Sequence, residues 1–167
     1  TDKEQIKRLR EWLDKGESWA QCMMAQWYRD GDYGLKQSYV MAAMLFEKAF
    51  AQGDPDAMYD LASMYQDGEG VVQSFEKSVE LYTMAVDQGH VGAMSNLGVL
   101  YQNGQGVLQS FEKAVELYTM AAEKGQPNAM LNLGVMYSLG QGVVQSNELA
   151  RAWWIKAANE GHEGAIK

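Results

Sequence analysis

Cysteine is nearly missing from this chain of 167 residues. Cys22 is the single one, so no disulfide forms within the chain. That suits a reducing compartment such as the cytoplasm but does not fix the location. Histidine occurs twice, as His90 and His162. Proline also occurs twice, against 17 glycines at periodic places, which marks repeated turns and not a flexible linker. No apolar run approaches the ~20 residues needed to cross a bilayer, so membrane insertion is not expected. The opening stretch, TDKEQIKRLREWLDKGE, is too charged for a secretory signal; with Thr1 first, it does not report on a removed leader. Bases are short too: 14 Lys and Arg against 22 Asp and Glu leave a net charge of −8. Residues 57–92 alone carry six acids and one base, Lys77, a net of −5. Such a chain repels phosphate backbones, which argues against nucleic acid and for a neutral or basic protein partner.

What is present is a repeat. Residues 57–92, 93–128 and 129–164 are in-register copies of 36 residues. Residues 20–56 are a fourth, one residue longer because Asp32-Tyr33-Gly34 replaces a two-residue step such as Glu69-Gly70. A fixed period of this size means stacked supersecondary units, here read as one domain over 1–167. Residues 2–19 align with the second half of a unit and form a cap or half-repeat helix. Trp12 stands there where the full repeats carry Ala49, Ala85, Ala121 and Ala157. Ala165-Ile166-Lys167 match Ala129-Met130-Leu131, the start of a further helix. The chain therefore reads as a piece of a longer array, with an atypical end as the alternative, and the exposed terminal faces suggest end-to-end self-association.

Each unit reads as helix A, turn, helix B. In the third copy helix A is expected over 91–103, with Ala93, Leu97, Gly98 and Tyr101 on one stripe. The small residue after Leu lets a neighbouring helix approach. Gly68, Gly104 and Gly140 should end helix A, a second glycine two residues on should help the reversal, and Val71, Val107 and Val143 should turn back to the core. Helix B should start at Ser38, Ser74, Ser110 and Ser146, good N-caps, with Glu76, Glu112 and Glu148 in the first turn of the last three. Its buried stripe is Ala114, Leu117, Tyr118 and Ala121, and Gly53, Gly89, Gly125 and Gly161 follow its end. The cap helix is expected over 3–15, capped by Asp2. Met58, Met94 and Met130 recur at one position, which favours core packing over a pliable binding surface.

The pattern AxxxLGxxYxxGxGVxxSxxxAxxxYxxAAxxG resembles the Sel1-like repeat, a relative of the tetratricopeptide repeat. The resemblance spans residues 20–164 and, as a half unit, 2–19. The first copy departs most, with Met24-Ala25 for Leu-Gly and a longer turn. The resemblance implies an all-α fold, an α/α superhelical solenoid with helices A lining a concave face, and a role as an adaptor or scaffold that binds proteins.

Catalytic, metal and cofactor chemistry finds no support in the residues. The two histidines sit at equivalent turn positions two repeats apart, roughly 20 Å at ordinary helix spacings, and cannot share a metal. Asp30-Gly31-Asp32-Tyr33-Gly34 imitates a calcium loop, but Leu35 and Met41 stand where glycine and glutamate are required. Ser74-Phe75-Glu76-Lys77 and Ser110-Phe111-Glu112-Lys113 match Ser-x-x-Lys without the companion motifs of a serine acylase. Gly104-Gln105-Gly106 has no strand before it, so it is no phosphate loop. Cys22 reads as an inert thiol. A cysteine-rich branch of the family is credited with β-lactam binding or hydrolysis, and that stands third, behind protein binding and a purely structural spacer. By analogy with tetratricopeptide repeats, the concave face should carry Met23, Asp60, Asn96 and Asn132, then Gln26, Ser63, Val99 and Val135, flanked by Cys22, Tyr59, Ser95 and Leu131. Asparagine offers donor and acceptor together and can hold a peptide backbone, while Val99, Val135 and Leu131 give apolar pockets and Tyr59 an anchor. The competing reading is that Asn96 and Asn132 only brace neighbouring loops.

Overall fold

A computed structural model describes residues 2–161. Among them are nine α-helices and no strand. They are α1 (Asp2–Asp14), α2 (Ser18–Asp30), α3 (Tyr39–Phe50), α4 (Pro55–Asp67), α5 (Phe75–Asp87), α6 (Val91–Asn103), α7 (Phe111–Glu123), α8 (Pro127–Leu139) and α9 (Asn147–Asn159). The chain divides into two compact units, one ending at Gln88 and one beginning at Gly89. In the first, α2 pairs with α3 and α4 with α5, while α3 packs on α4 and α1 on α2. In the second, α6 pairs with α7 and α8 with α9, and α7 packs on α8. The expected start of a further helix at 165–167, and His162, lie outside the described residues.

Helix boundaries follow from single residues. Ser38, Ser74, Ser110 and Ser146 each accept the backbone N–H three residues on at 3.2–3.3 Å, which satisfies a donor the helix leaves open. Gly68, Gly104 and Gly140 end α4, α6 and α8 in the left-handed region at φ 73°, 67° and 66°. The cap helix runs over Asp2–Asp14, one residue earlier at each end than expected. Asp2 is thus inside the first turn, where its charge still suits the helix dipole.

The turn holds two devices that periodicity alone did not show. The side-chain amides of Gln37, Gln73, Gln109 and Gln145 donate to the carbonyls of Arg29, Gln66, Gln102 and Ser138, all at 2.8 Å, and so satisfy acceptors in the last turn of helix A. The second glycine does more than help the reversal. A Cβ on Gly142 would meet the Phe111 backbone carbonyl at 2.5 Å, and one on Gly70 would strike the Tyr39 carbonyl, so each turn presses on the start of the preceding helix B. Val71, Val107 and Val143 are only half-buried, and their neighbours Val72, Leu108 and Val144 stand 88%, 92% and 89% exposed.

The core matches the stripes. Ala93, Leu97 and Gly98 are buried, as are Ala114, Leu117, Tyr118 and Ala121, and Met58, Met94 and Met130 are interior. Met64, Leu100 and Met136 form a further buried row on helices A. Close approach at the small residue is direct: a Cβ on Gly98 would lie 2.6 Å from the Tyr118 ring, and one on Gly134 would overlap the Trp154 indole.

Candidate functional site

In the first unit the predicted face is built by α2 and α4, which are tied side by side. Asp60 on α4 accepts from Arg29 Nη1 at 2.8 Å and from Gln26 Nε2 at 3.0 Å, both on α2. Both carboxylate oxygens are occupied and Asp60 is 6% exposed, so it acts as a joint between repeats and not as a surface contact. Arg29 also pairs with Asp30 at 3.0 Å. Hydrogen bonding to Asp30, with the charge of Asp60, raises the guanidinium pKa against the opposing effect of burial. Ser63 donates to Asp67 at 3.4 Å. Tyr59 is half-buried, with its ring 5.8 Å from that of Tyr82. Met23 is exposed.

In the second unit α6 and α8 carry the matching positions. Ser95 is 3% exposed and belongs to the interior, contrary to its expected place on the surface. Asn96 and Val99 are half-buried; so are Leu131 and Asn132, and Val135 is exposed. Trp154 Nε1 on α9 donates to the Leu131 carbonyl at 3.3 Å, which fixes the large indole beneath this row. Asn132 is half-buried and makes no side-chain hydrogen bond among the described residues, which leaves its amide donor and acceptor available.

The residues that imitate catalytic motifs are structural here. Ser74 and Ser110 donate to Glu76 and Glu112 at 3.1 and 3.2 Å, while Lys77 and Lys113 place Nζ 4.9 Å over Tyr65 and Tyr101. Neither ammonium attends its serine. His90 caps α6, with Nδ1 accepting from Ala93 N at 3.1 Å, and Asp54 and Gln126 do the same for α4 and α8. Cys22 is buried; burial first, then the Asp54, Asp60 and Asp56 carboxylates, push its thiol up to about 12. Among the described residues no cluster of acids, histidine and cysteine could hold a metal, and no helix is long and apolar enough to cross a membrane.

Two concavities in the first unit went unseen in the sequence. One, about 410 Å³, lies among α3, α4 and α5 and is lined by Phe50, Leu61, Tyr65 and Met84 with Glu47, Lys77 and Glu80 at its edge. The other, about 340 Å³, is formed by α1, α2 and the Asp32–Gly34 turn and gathers Trp12, Trp19, Trp27 and Tyr33. The one-residue insertion at that turn and Trp12 at an alanine position were its signals.

Paired helices in tandem, with a row of side chains on the first helix of each pair, define a helical-repeat protein. The Sel1 repeat model matches residues 20–54, 55–90, 91–126 and 127–162, and the chain belongs to that family. Its fold class is the all-α solenoid of tandem Sel1 helix pairs, and members generally act as protein-interaction modules. No curated protein matches the chain significantly. Among solved structures, a protective antigen present in uropathogenic Escherichia coli strains, displaying an SLR fold, is 32% identical with a TM-score of 0.89. That match covers 94% of this chain and 33% of the antigen, so the chain spans about a third of that protein's length. A Sel1 repeat protein from Oxalobacter formigenes is 30% identical at a TM-score of 0.91, covering 99% of this chain and 67% of its own. The Helicobacter pylori cysteine rich protein B is 25% identical at a TM-score of 0.57, over 72% and 91%.

Proposed function

We propose that this chain captures an extended peptide or a partner domain on the face formed by its helices A, the face the family resemblance places inside the superhelix. The observation that carries the reading is Asn132. Its half-exposed amide has no partner among the described residues and lies one turn from exposed Val135, beside Leu131. A free amide flanked by apolar surface suits a peptide backbone with side chains on either side. Met23, Gln26, Tyr59 and Ser63 extend the same row type in the first unit, and Asn96 and Val99 in the second. The net charge of −8 favours a basic partner.

The test is affinity capture with mass spectrometry, comparing wild type with an Asn132→Ala/Val135→Lys variant of equal melting temperature. Partners lost by the variant support the face. Partners kept by both move the site to the turns or to helices B, and an empty capture favours the spacer reading. Asp60→Ala is unsuitable as a binding probe. It leaves Gln26 without its acceptor and Arg29 with Asp30 alone, and should cost about 2 kcal/mol of stability.

A further inference from the structure

Most of the chain's net charge lies around the larger cavity of the first unit. Residues 39–87, which include α3, α4 and α5, carry nine acids and two bases, a net of −7 out of −8. Asp60 is matched by Arg29 on α2. Two of the other acids line the cavity: Glu47 on α3 and Glu80 on α5 are exposed and form no ion pair or hydrogen bond among the described residues. Lys77, the base in the lining, holds its Nζ 4.9 Å over the Tyr65 ring instead. Phe50, Leu61 and Met84 make the lining apolar. Apolar surface continues out of the cavity along α3. One turn from Glu47 comes Met44, 50% exposed, and one turn further Val40, 59% exposed, while Met84 across the groove is 41% exposed. The next two repeats put Glu80 and Glu116 in the place of Met44, and Glu76 and Glu112 in the place of Val40. Stacking of repeats does not require the cavity residues either. In the second unit, α7 and α9 carry Thr119 for Glu47, Ala122 for Phe50, Ala152 for Glu80 and Lys156 for Met84. Exposed methionine and valine beside a cavity mark a contact surface, and the unbranched thioether adapts to irregular apolar partners.

Charge selects the occupant. An apolar side chain alone would cover Glu47 and Glu80 and leave each carboxylate less hydrated with no counter-charge, which is costly. A lysine or arginine beside that side chain supplies the counter-charge and is drawn in by the surrounding acids. The same acids repel a phosphate backbone and an anionic lipid surface. The apolar run along α3 outside the cavity suits a chain longer than the cavity itself. We propose that the groove between α3 and α5 docks a peptide segment in which a large apolar side chain is flanked by lysine or arginine. This groove shares no residue with the row on helices A, and it is a second contact surface beside it.

The probe is a peptide of about twelve residues with a central Lys-Phe-Leu-Lys, set against one twin with both lysines replaced by glutamate and another with Phe-Leu replaced by Ser-Ser. Each is titrated into the full chain and followed by calorimetry and by the methyl signals of the methionines. The parent peptide should bind saturably, about tenfold more tightly than either twin, and should shift the Met44 and Met84 methyls. Glu47→Thr with Glu80→Ala should remove the preference over the glutamate twin. Met84→Lys should weaken the parent peptide about tenfold. Equivalent places in the second unit already carry these residues, so the melting temperature should hold. Equal affinity for either twin, no saturable binding, or indifference to both variants overturns the proposal. So does a concentration-dependent dimer, seen by sedimentation and abolished by Met84→Lys, because it would assign the groove to a second copy. The Asn132→Ala/Val135→Lys variant should bind the peptide as wild type does, so either reading can fail alone.

Discussion

Cys22 keeps its proton. With the thiol pKa pushed to about 12 from 9.0, the folded chain holds a proton that the unfolded chain releases above pH 9. That stabilisation is complete below pH 9 and is lost as pH climbs toward about 12. Cys22→Ala should therefore flatten the fall of stability over this window in denaturant titrations, and parallel curves would refute the assignment. Tyr118, its phenol raised by burial, adds to the alkaline slope in both proteins. At pH 8 a thiol reagent should modify the chain only as it unfolds. Ser78 makes the opposite point about burial. It is fully buried, its Oγ has no hydrogen-bond partner, and the same position in the next repeat is Ala114. Deleting an unsatisfied hydroxyl without leaving a large void should stabilise, so Ser78→Ala is expected to gain about 1 kcal/mol in chemical denaturation. A loss of stability would mean that the hydroxyl has a partner in solution.

At the scale of an element, size is matched in pairs. The second repeat holds Ala62 with Tyr82, both fully buried, where the fourth holds Gly134 with Trp154. Gly134→Ala should overpack against the indole and cost about 1–3 kcal/mol. Adding Trp154→Tyr should recover part of it by approaching the pair of the second repeat, though a Cβ on Gly98 would still meet the Tyr118 ring at 2.6 Å, as a double-mutant cycle of melting curves would show. The helices were legible in the sequence because each begins and ends on a local residue: the capping serines and the left-handed glycines act within a single turn. The candidate face was legible only in part. Asp60 looked like a surface acid since its partner Arg29 lies 31 residues away, and the repeat carries no mark of that pairing. Ser95 was placed outside by analogy with a related repeat, yet it is interior. The aromatic pocket escaped because Trp12 and Trp19 come from different helices and Tyr33 reaches it only through a positive φ. Periodicity reports what the copies share, and the pocket is made of residues ahead of the copies, Trp12 and Trp19, and of departures within the first, Trp27 and Tyr33.

At the scale of the molecule, charge and modularity set behaviour. A chain at −8 that meets a basic partner through its acidic second repeat should lose affinity with salt. Between roughly 50 and 500 mM NaCl, capture should fall about tenfold, measured by titration calorimetry. A salt-independent affinity would point instead to the apolar half of the interface. The glycines that press on the preceding helix B have another implication. Gly70 rests on Tyr39 and Val40, and Gly142 on Phe111 and Glu112, so each joint has one half in the turn and the other at the following helix start of the repeat before it. A block that carried a glycine for the repeat behind and a matching helix start for the repeat ahead would, when copied, reproduce fitting joints at both seams, which suits growth of such an array by tandem duplication. Val71–Ala85 and Val107–Ala121, identical except at 72/108 and 78/114, look like the product of such a copying event.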